Sequence, residues 1–205
     1  MKRNLFAVAV LIALCGAVHL LADLGTAAAS SISEAKIGST VADFTLSDTT
    51  GKQHSLASLK GEKGTALIFI STQCPVSNAY NERMAKLAAD YKAQGINVIG
   101  INANATESPE RIAAHARENG LPFVILKDAN NKIADQLGAN VTPEVFLMDA
   151  SNKLVYHGRI DNAQKGDQIT SNDLRDAMNA VIAGKPVAKS EARAFGCSIK
   201  RATQS

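Results

Sequence analysis

The sequence predicts an α/β fold in which a central mixed β-sheet is flanked by helices. Two observations lead to this prediction. Apolar, strand-like runs alternate with segments of helical periodicity through most of the chain, and such alternation is typical of a sheet with parallel strands that helices cover. The last two strand-like runs, "EVFLMD" and "KLVYHGRI", are separated by the short link "ASN", which predicts an antiparallel hairpin at one edge.

The first elements are a small hairpin and a buried strand. The segment "VADFTLSDTTGKQHSLASLKG" contains two short strand-like runs around "DTTG", which predict an N-terminal β-hairpin, and "SLASL" predicts a short helical turn after it. Next, "TALIFI" is continuously apolar, as expected for a strand that is covered on both faces. The hairpin is therefore an extension that precedes the first central strand.

A helix is predicted directly after Cys74. Apolar and aromatic residues recur on one face from Val76 to Tyr91, which is the spacing of an amphipathic helix. Pro75 suits the first turn because the amide hydrogen that it lacks would have no partner there. Gly95 ends the helix.

The remaining elements alternate in the same manner. "INVIGINA" and "PFVILKD" predict strands, and between them "SPERIAAHARENG" predicts a helix that Ser108 caps and Gly120 ends. "NKIADQLG" predicts a short helix closed by Gly138, and "SNDLRDAMNAVIAG" predicts a final helix that Pro186 prevents from continuing. After Gly184 the sequence has no such pattern.

The first 29 residues predict a secretory signal. Lys2 and Arg3 precede an apolar stretch, and small residues follow it in "TAAAS", which together are the three regions of such a signal. The alternative is a retained membrane anchor, which normally needs about 20 apolar residues. We therefore divide the chain into a signal at 1–29, one α/β domain at 30–184 and a basic tail at 185–205. We expect an exported, periplasmic or secreted protein that contacts a membrane only if the signal is uncleaved.

The charge of the chain does not indicate a nucleic-acid partner. The 205 residues carry a formal net charge of +3. Without Lys2, Arg3 and Asp23, the 20 basic and 18 acidic residues that remain give +2, and such a small excess does not predict nucleic-acid binding. Five of these basic residues lie between Lys185 and Arg201, and the simplest interpretation of this tail is a solvated terminus.

Cys74 is the main candidate for chemistry. It lies between a buried strand and a helix, where several backbone N–H groups have no partner within the helix. These groups and the helix dipole favour a thiolate, so we expect the pKa of Cys74 to lie below its reference value of about 8.5. The alternative is a buried structural cysteine. Its position at the end of a strand favours a reactive thiol, because open α/β sheets bind ligands there.

Pro143 gives the second signal. It stands in "GANVTPEVFL", directly before an apolar strand, where proline is tolerated and a cis peptide bond would be a deliberate feature. Alone, the pair Thr142-Pro143 also fits a plain trans turn. Together with a Cys-Pro pair that opens the first helix, it is a much stronger indication of a thiol site.

These motifs resemble the thioredoxin-like superfamily, and in particular the exported redoxins of the alkyl hydroperoxide reductase and thiol-specific antioxidant branch. The resemblance rests on "DFTLSDTTGKQHSLASLKG", "FISTQCPVS", "VTPEVFLMD" and "GRID", and it covers roughly residues 38–184. It implies a thioredoxin-like fold in which Cys74 is the attacking thiol and Pro143 is cis and packs against the sulfur. It also implies that the backbone of Thr142 hydrogen-bonds an extended substrate chain like an added strand.

Ser77 stands where a disulfide oxidoreductase of this fold usually has a second cysteine. A mixed disulfide at Cys74 therefore has no local resolving thiol, and Ser77 either hydrogen-bonds the thiolate or is an ordinary first-turn residue. Cys197 is the candidate for the missing partner, and Phe195 and Ile199 beside it indicate that its apolar island docks on the domain. The alternatives for Cys197 are an intermolecular disulfide and an unpaired thiol.

A thiol peroxidase is the second candidate function. In peroxiredoxins a proline and a threonine or serine lie seven and three residues before the cysteine. Ser71 meets the second condition, and Leu67 fails the first. Arg159 in "YHGRID" is the candidate arginine for supporting a peroxide-reactive thiolate. Its alternative role is that of a surface arginine at the end of a strand.

Glu144 follows the proposed cis-proline, so it is expected near the sulfur, where it would tune Cys74 or repel acidic substrates unless it is simply solvated. No cofactor and no metal site are predicted, although a soft metal such as copper at Cys74 and His157 is a minor alternative.

The leading hypothesis is a thiol-disulfide oxidoreductase in cell redox homeostasis, with Thr142, Pro143, Ser77, Glu144 and Arg159 around the substrate. Its partners would be a disulfide on a protein or small molecule and a reducing thiol. The alternatives are an antioxidant thiol peroxidase that acts on peroxide and a non-catalytic binding module or chaperone.

Overall fold

The computed structural model describes residues 34–203, so the predicted signal at 1–29 lies outside the described residues. The strands are β1 (Thr45–Asp48), β2 (Gln53–Ser55), β3 (Gly64–Phe69), β4 (Ile96–Asn102), β5 (Ile125–Lys127), β6 (Val141–Thr142), β7 (Glu144–Asp149), β8 (Leu154–Gly158), β9 (Glu191–Ala192) and β10 (Cys197–Ser198). The helices are α1 (Leu56–Leu59), α2 (Pro75–Asn78), α3 (Asn81–Lys92), α4 (Pro109–Glu118), α5 (Lys132–Leu137) and α6 (Asp173–Ile182), with a 3-10 turn at Gly166–Gln168.

Eight of these strands form one mixed sheet in the order β2-β1-β5-β4-β3-β7-β8-β9. Strands β3, β4 and β5 are parallel to one another, and β7 is antiparallel to β3. The predicted closing hairpin is β7 and β8, and the predicted N-terminal hairpin is β1 and β2, which joins the sheet next to β5. The predicted mixed sheet and both hairpins are confirmed.

Strand β3 is the centre of two cores, one on each face of the sheet. Every residue of β3 is buried, and its side chains alternate between the two cores. Ala66 and Ile68 contribute to one apolar cluster, and Leu67 and Phe69 contribute to the other. Helices α3, α4 and α6 cover the first cluster, and α1 and α5 cover the second. No helix within residues 34–203 has the length and apolar character of a membrane span.

The helix predicted after Cys74 is divided into α2 and α3. The division falls at Ala79 and Tyr80, where the Tyr80 side chain is buried and its hydroxyl donates to Asp161 at 3.0 Å and to the Ala163 carbonyl at 2.9 Å. Apolar residues of both helices share one cluster. Periodicity alone therefore does not show the interruption.

The tail after Gly184 packs against the domain instead of forming a solvated terminus over the described residues. Strand β9 adds parallel to β8, and β10 pairs antiparallel with β6. Ala192 and Ile199 are 7% and 6% exposed, and Phe195 packs against the core at an edge-on contact with Tyr80. The docking expected from the apolar island is confirmed.

Asp173, at the start of α6, joins the end of β8 to the tail. Its side chain is 1% exposed and accepts hydrogen bonds from Arg159 Nε at 2.7 Å and Lys189 Nζ at 2.5 Å. Burial raises the pKa of Asp173, but the hydrogen bonds from Arg159 and Lys189 outweigh burial and lower this pKa to about 2. The carboxylate is therefore ionised wherever the protein is folded at ordinary pH.

We expect Asp173→Asn to lower the free energy of unfolding by about 1–3 kcal/mol at neutral pH, because Arg159 and Lys189 lose a charged acceptor and one of its two oxygens. The folded pKa is depressed, so the stabilisation is present above the ordinary value of 3.8 and is lost as the pH falls through about 2. Denaturant unfolding between about pH 5 and pH 2 should then show a shallower acid loss in the variant than in the native protein. Asp167→Asn, at an exposed position, is the matched control, and an equal acid loss in both variants would contradict this role.

Candidate active site

Cys74 lies at the junction of β3 and α2, as the sequence predicts. It is 2% exposed and is the residue that caps α2. Its Sγ accepts a hydrogen bond from the Ser77 N–H at 3.3 Å, and as a thiol it donates to the Thr142 carbonyl at 3.2 Å. The sulfur therefore has one partner for its charged form and one for its neutral form.

The pKa of Cys74 lies below its ordinary value. Burial raises this pKa, but the neighbouring thiol and backbone N–H of Cys197, the N–H of Ser77 and the side chain of Thr142 outweigh burial. Of these groups, the Ser77 N–H is the one that donates a hydrogen bond to the sulfur in this structure. The Thr142 hydroxyl is buried and has no hydrogen-bond partner among residues 34–203 in this structure. It is therefore available to the sulfur when the proton leaves.

The direction of this pKa shift confirms the prediction, and so does part of its cause, because the Ser77 N–H at the start of α2 donates to the sulfur. The helix itself is short, since α2 contains only four residues before the interruption at Tyr80. Groups of two further segments, at Thr142 and Cys197, also lower the pKa.

The loop that leads into Cys74 is held by a buried carboxylate. Ser71 Oγ accepts the backbone N–H groups of Gln73 and Cys74, each at 3.1 Å, and donates to Glu107 Oε1 at 2.5 Å. Glu107 Oε2 accepts the Thr72 N–H at 2.8 Å and Asn102 Nδ2 at 2.7 Å. Burial raises the pKa of Glu107, but these hydrogen bonds outweigh burial and lower it. An ionised carboxylate therefore orders the backbone beside the reactive sulfur.

The role of Glu107 is not apparent from the sequence. It stands in a loop, one residue before the cap Ser108, where a solvated glutamate is the ordinary expectation. Its partners come from segments 71–73 and 102, and only the fold brings them together. Its one sequence signal, a position shortly after a central parallel strand, is shared with many loop residues.

The Thr142 carbonyl contacts the Cys74 sulfur, and the peptide bond between Thr142 and Pro143 is cis, as the resemblance implies. Thr142 is 1% exposed. Its strand, β6, pairs with β10 of the tail, and in this pairing Cys197 lies opposite Thr142. The edge at which the resemblance places a substrate chain is therefore occupied by the tail.

Cys197 lies opposite Thr142, whose carbonyl contacts the Cys74 sulfur, and neither cysteine is in a disulfide in this structure. Cys197 is partly exposed, whereas Cys74 is buried. The neighbouring Cys74 sulfur raises the pKa of Cys197, and burial raises it further. The two pKa shifts are opposite, so Cys74 loses its proton before Cys197 does.

The other predicted site residues are held by neighbours. Ser77 is fully buried, its Oγ accepts the Ser71 N–H at 3.2 Å, and it contacts Cys74 through its backbone N–H. Glu144 is 5% exposed and accepts the N–H groups of Asn140 at 2.7 Å and Val141 at 3.1 Å. Glu144 therefore braces the loop that presents Thr142.

Arg159 and His157 have partners of their own. Arg159 binds Asp173, as described above, which is the structural role considered for it at the end of a strand. His157 Nε2 lies 2.7 Å from Glu144 Oε1, and its ring stacks on Phe146. Among residues 34–203, no three His, Cys, Asp or Glu side chains are grouped as metal ligands.

The fold and this site together define a redoxin-type protein, with a thioredoxin-like sheet and a helix-capping cysteine that contacts the residue before a cis-proline. The model of the AhpC/TSA family matches residues 37–157. The chain belongs to this family, which confirms the resemblance.

Individual relatives agree with this assignment. The chain is 34% identical over 104 residues to the thiol-disulfide oxidoreductase ResA of Halalkalibacterium halodurans, covering 51% of this chain and 57% of that protein. It thus spans a little over half the length of that relative. It is 32% identical to ResA of Bacillus thuringiensis, covering 67% and 78%. A solved structure of a hypothetical protein from Sinorhizobium meliloti is 37% identical, with a TM-score of 0.77 and coverage of 84% and 98%.

Thr142→Val tests whether the hydroxyl of Thr142 supports the thiolate. The substitution removes the hydroxyl but retains the shape of the side chain and the backbone carbonyl. Without the hydroxyl, the pKa of Cys74 should rise. Alkylation of Cys74 below its titration midpoint should slow on the order of tenfold, because a hydrogen bond to a charged group contributes about 1.5–3 kcal/mol. The measurement is the alkylation rate against pH, with the modified residue identified by mass spectrometry. Thr45→Val, at an exposed strand position, is the control, and an unchanged midpoint in Thr142→Val would exclude the hydroxyl.

Proposed function

We propose that this protein is an exported thiol-disulfide oxidoreductase in which Cys74 attacks a disulfide and Cys197 resolves the intermediate. The observation that carries the proposal is the adjacent pair of free cysteines with opposite pKa shifts. Thiolate character determines which of two thiols attacks. Family membership and the ResA relatives support this reaction class.

The first step is attack by the Cys74 thiolate on one sulfur of the substrate disulfide. The substrate S–S bond breaks, a mixed disulfide forms at Cys74, and the other substrate sulfur leaves as a thiolate that takes up a proton. The donors around Cys74 favour its thiolate before this step. Once Cys74 is bonded, it no longer holds a negative charge next to Cys197.

The second step uses Cys197. Its raised pKa depends first on the neighbouring Cys74, so the loss of that negative charge favours deprotonation of Cys197. The Cys197 thiolate then attacks the Cys74 sulfur, a Cys74–Cys197 disulfide forms, and the second substrate sulfur leaves as a thiolate and is protonated. The substrate is reduced by two electrons, and the protein dithiol is oxidised by two. A reducing thiol or dithiol returns the protein to its starting state.

The setting that we propose for this reaction rests on the N-terminal segment. The secretory signal predicted at 1–29 supports a mature protein outside the cytoplasm, where protein thiols tend to become disulfides. A reductase for disulfides there acts in redox homeostasis and depends on a thiol donor supplied to the same compartment. Export is measured by locating the mature protein in cell fractions and by sequencing its N-terminus.

We expect Cys74→Ser to abolish disulfide reduction and Cys197→Ser to arrest it after one step. The reduced protein is mixed with glutathione disulfide, and its mass is followed with time. Native protein should accumulate the internal disulfide, whereas Cys197→Ser should accumulate one glutathione adduct at Cys74. Ser198→Ala, at the exposed neighbour of Cys197, is the control.

A parallel assay with hydrogen peroxide separates disulfide exchange from peroxidase activity. Peroxide consumption that requires Cys74, without exchange on the disulfide, would replace the proposed reaction with a thiol peroxidase. Full turnover in Cys197→Ser would remove Cys197 from the mechanism. If neither substrate shows turnover that requires Cys74, the protein is a binding module.

A further inference from the structure

We propose that the tail segment 193–198, named here the clasp, occupies the site at which a substrate polypeptide binds, so that the substrate strand and the clasp exchange places once in each catalytic cycle. This inference rests on the proposed disulfide exchange at Cys74. It identifies the partner as an extended polypeptide segment that carries the disulfide cysteine and adds to the edge of β6.

The register of the clasp is that of a bound strand. Strand β10 runs antiparallel to β6, with Cys197 opposite Thr142 and Ser198 opposite Val141. Extended peptides add to open strand edges in this way, through backbone hydrogen bonds with side chains in flanking pockets. Because Thr142 also contacts the Cys74 sulfur, a cysteine in this register is placed beside the reactive thiol.

The clasp is anchored at both ends, whereas its own residues are mostly exposed. On one side, Ala192 is buried and its carbonyl accepts the Arg159 N–H at 3.1 Å. On the other side, Ile199 is buried in the second core cluster and its N–H donates to the Asn140 carbonyl at 2.9 Å. Within 193–198 every residue is partly or fully exposed. The clasp can therefore lift as a loop while both anchors stay in place.

Further contacts secure the anchor after the clasp. The Lys200 N–H donates to Asn104 Oδ1 at 2.8 Å, and the Ala202 N–H donates to Asn131 Oδ1 at 2.7 Å. Arg201 forms an ion pair with Asp135 at 2.7 Å. Local opening follows such differences in contact density, so we expect the clasp to open before either anchor.

The fit between the clasp and β6 is closest at Gly196. A Cβ at this position would lie 1.9 Å from the Thr142 carbonyl oxygen and 2.7 Å from the Thr142 carbonyl carbon. Both atoms belong to the backbone, so a side chain cannot be accommodated by rotating a neighbour. The residue before the cysteine must therefore be glycine for the clasp to close in this position.

The same contacts describe the partner. A substrate strand in the position of the clasp would carry a small residue, preferably glycine, before its cysteine. Two residues before the cysteine, an aromatic ring would meet Tyr80, as Phe195 does with ring centroids 6.3 Å apart. The site thus favours an extended aromatic–glycine–cysteine segment over other cysteine-bearing chains.

The order of events in the cycle follows from shared occupancy. Cys74 is covered while the clasp is closed, so a polypeptide disulfide gains access when the clasp lifts. After the mixed disulfide has formed, Cys197 attacks Cys74 by returning to the position opposite Thr142. The return forms the internal disulfide, releases the second substrate thiolate and displaces the substrate strand from β6. Resolution and product release are therefore one movement.

Gly196→Ala tests shared occupancy, because the added methyl group should hold the clasp open. The probe is a fluorescent synthetic peptide with the sequence of the clasp, residues 193–198, and serine in place of its cysteine, so that it binds without reacting. Gly166→Ala is the matched control, since a Cβ at Gly166 would meet no atom within 4 Å. Binding is measured by fluorescence anisotropy with reduced and with oxidised full-length protein.

We expect reduced Gly196→Ala to bind the peptide about tenfold or more tightly than the native protein and Gly166→Ala, because the binding-competent fraction rises. Oxidised native protein should bind it more weakly than reduced protein, since the internal disulfide holds the clasp closed. Phe195→Ala, which removes the contact with Tyr80 without adding atoms, should also increase binding. Equal binding by all reduced variants would overturn the proposal, as would equal binding by reduced native protein and by native protein whose mass shows the internal disulfide.

The outcome is independent of the proposed function. The peptide carries no cysteine, so its binding is measurable even if Cys74 reduces no disulfide. Conversely, the proposed function can hold while the clasp proposal is wrong. In that case Cys74 still reduces glutathione disulfide, but every variant binds the peptide equally. The same preparations should form the internal disulfide more slowly in Gly196→Ala than in Gly166→Ala if Cys197 has left its position.

Discussion

A buried sulfur can carry a negative charge only where hydrogen-bond donors replace the water that it has lost. Cys74 meets this constraint with the Ser77 N–H of α2 and with groups of the residue before the cis-proline and of the tail. Each of these groups lowers the pKa of Cys74, and the first two remain beside the sulfur when the clasp lifts. The reactivity of one atom therefore depends on contacts between parts of the chain that are distant in sequence.

Buried hydrogen bonds also hold the two loops that carry Cys74 and Thr142. Glu107 fixes the backbone of 71–73, which leads into Cys74, and Glu144 fixes the backbone of 140–141, which leads into Thr142. Each carboxylate accepts two or more hydrogen bonds from groups that would otherwise be unsatisfied, so the loops are held without a regular ladder. Glu107 and Glu144 thus set the geometry of the site, although neither of them hydrogen-bonds the Cys74 sulfur.

The sequence predicted the central sheet well because its signals are local. Continuous apolar runs, the Ser108 cap and the glycine stops at Gly95, Gly120 and Gly138 depend on residues within a few positions, and the predicted elements appear in the structure. Cys74 and Pro143 were found for the same reason. The break before α3, strands β9 and β10 and the role of Glu107 were not predicted, because each depends on partners from distant segments. From its sequence alone, a polar, basic tail is expected to be solvated. Only the fold shows the strand edges with which this tail pairs.

The docked tail also links folding to electron transfer. A disulfide between Cys74 and Cys197 would join the middle of the chain to its end and so restrict the unfolded chain across most of the domain. Closing such a loop stabilises the folded state relative to the unfolded one. By the reciprocity of linked equilibria, folding then favours the oxidised pair by the same free energy. Any substitution that loosens the anchors at Ala192 or Ile199 would therefore change the reduction potential of the cysteine pair together with the stability of the fold.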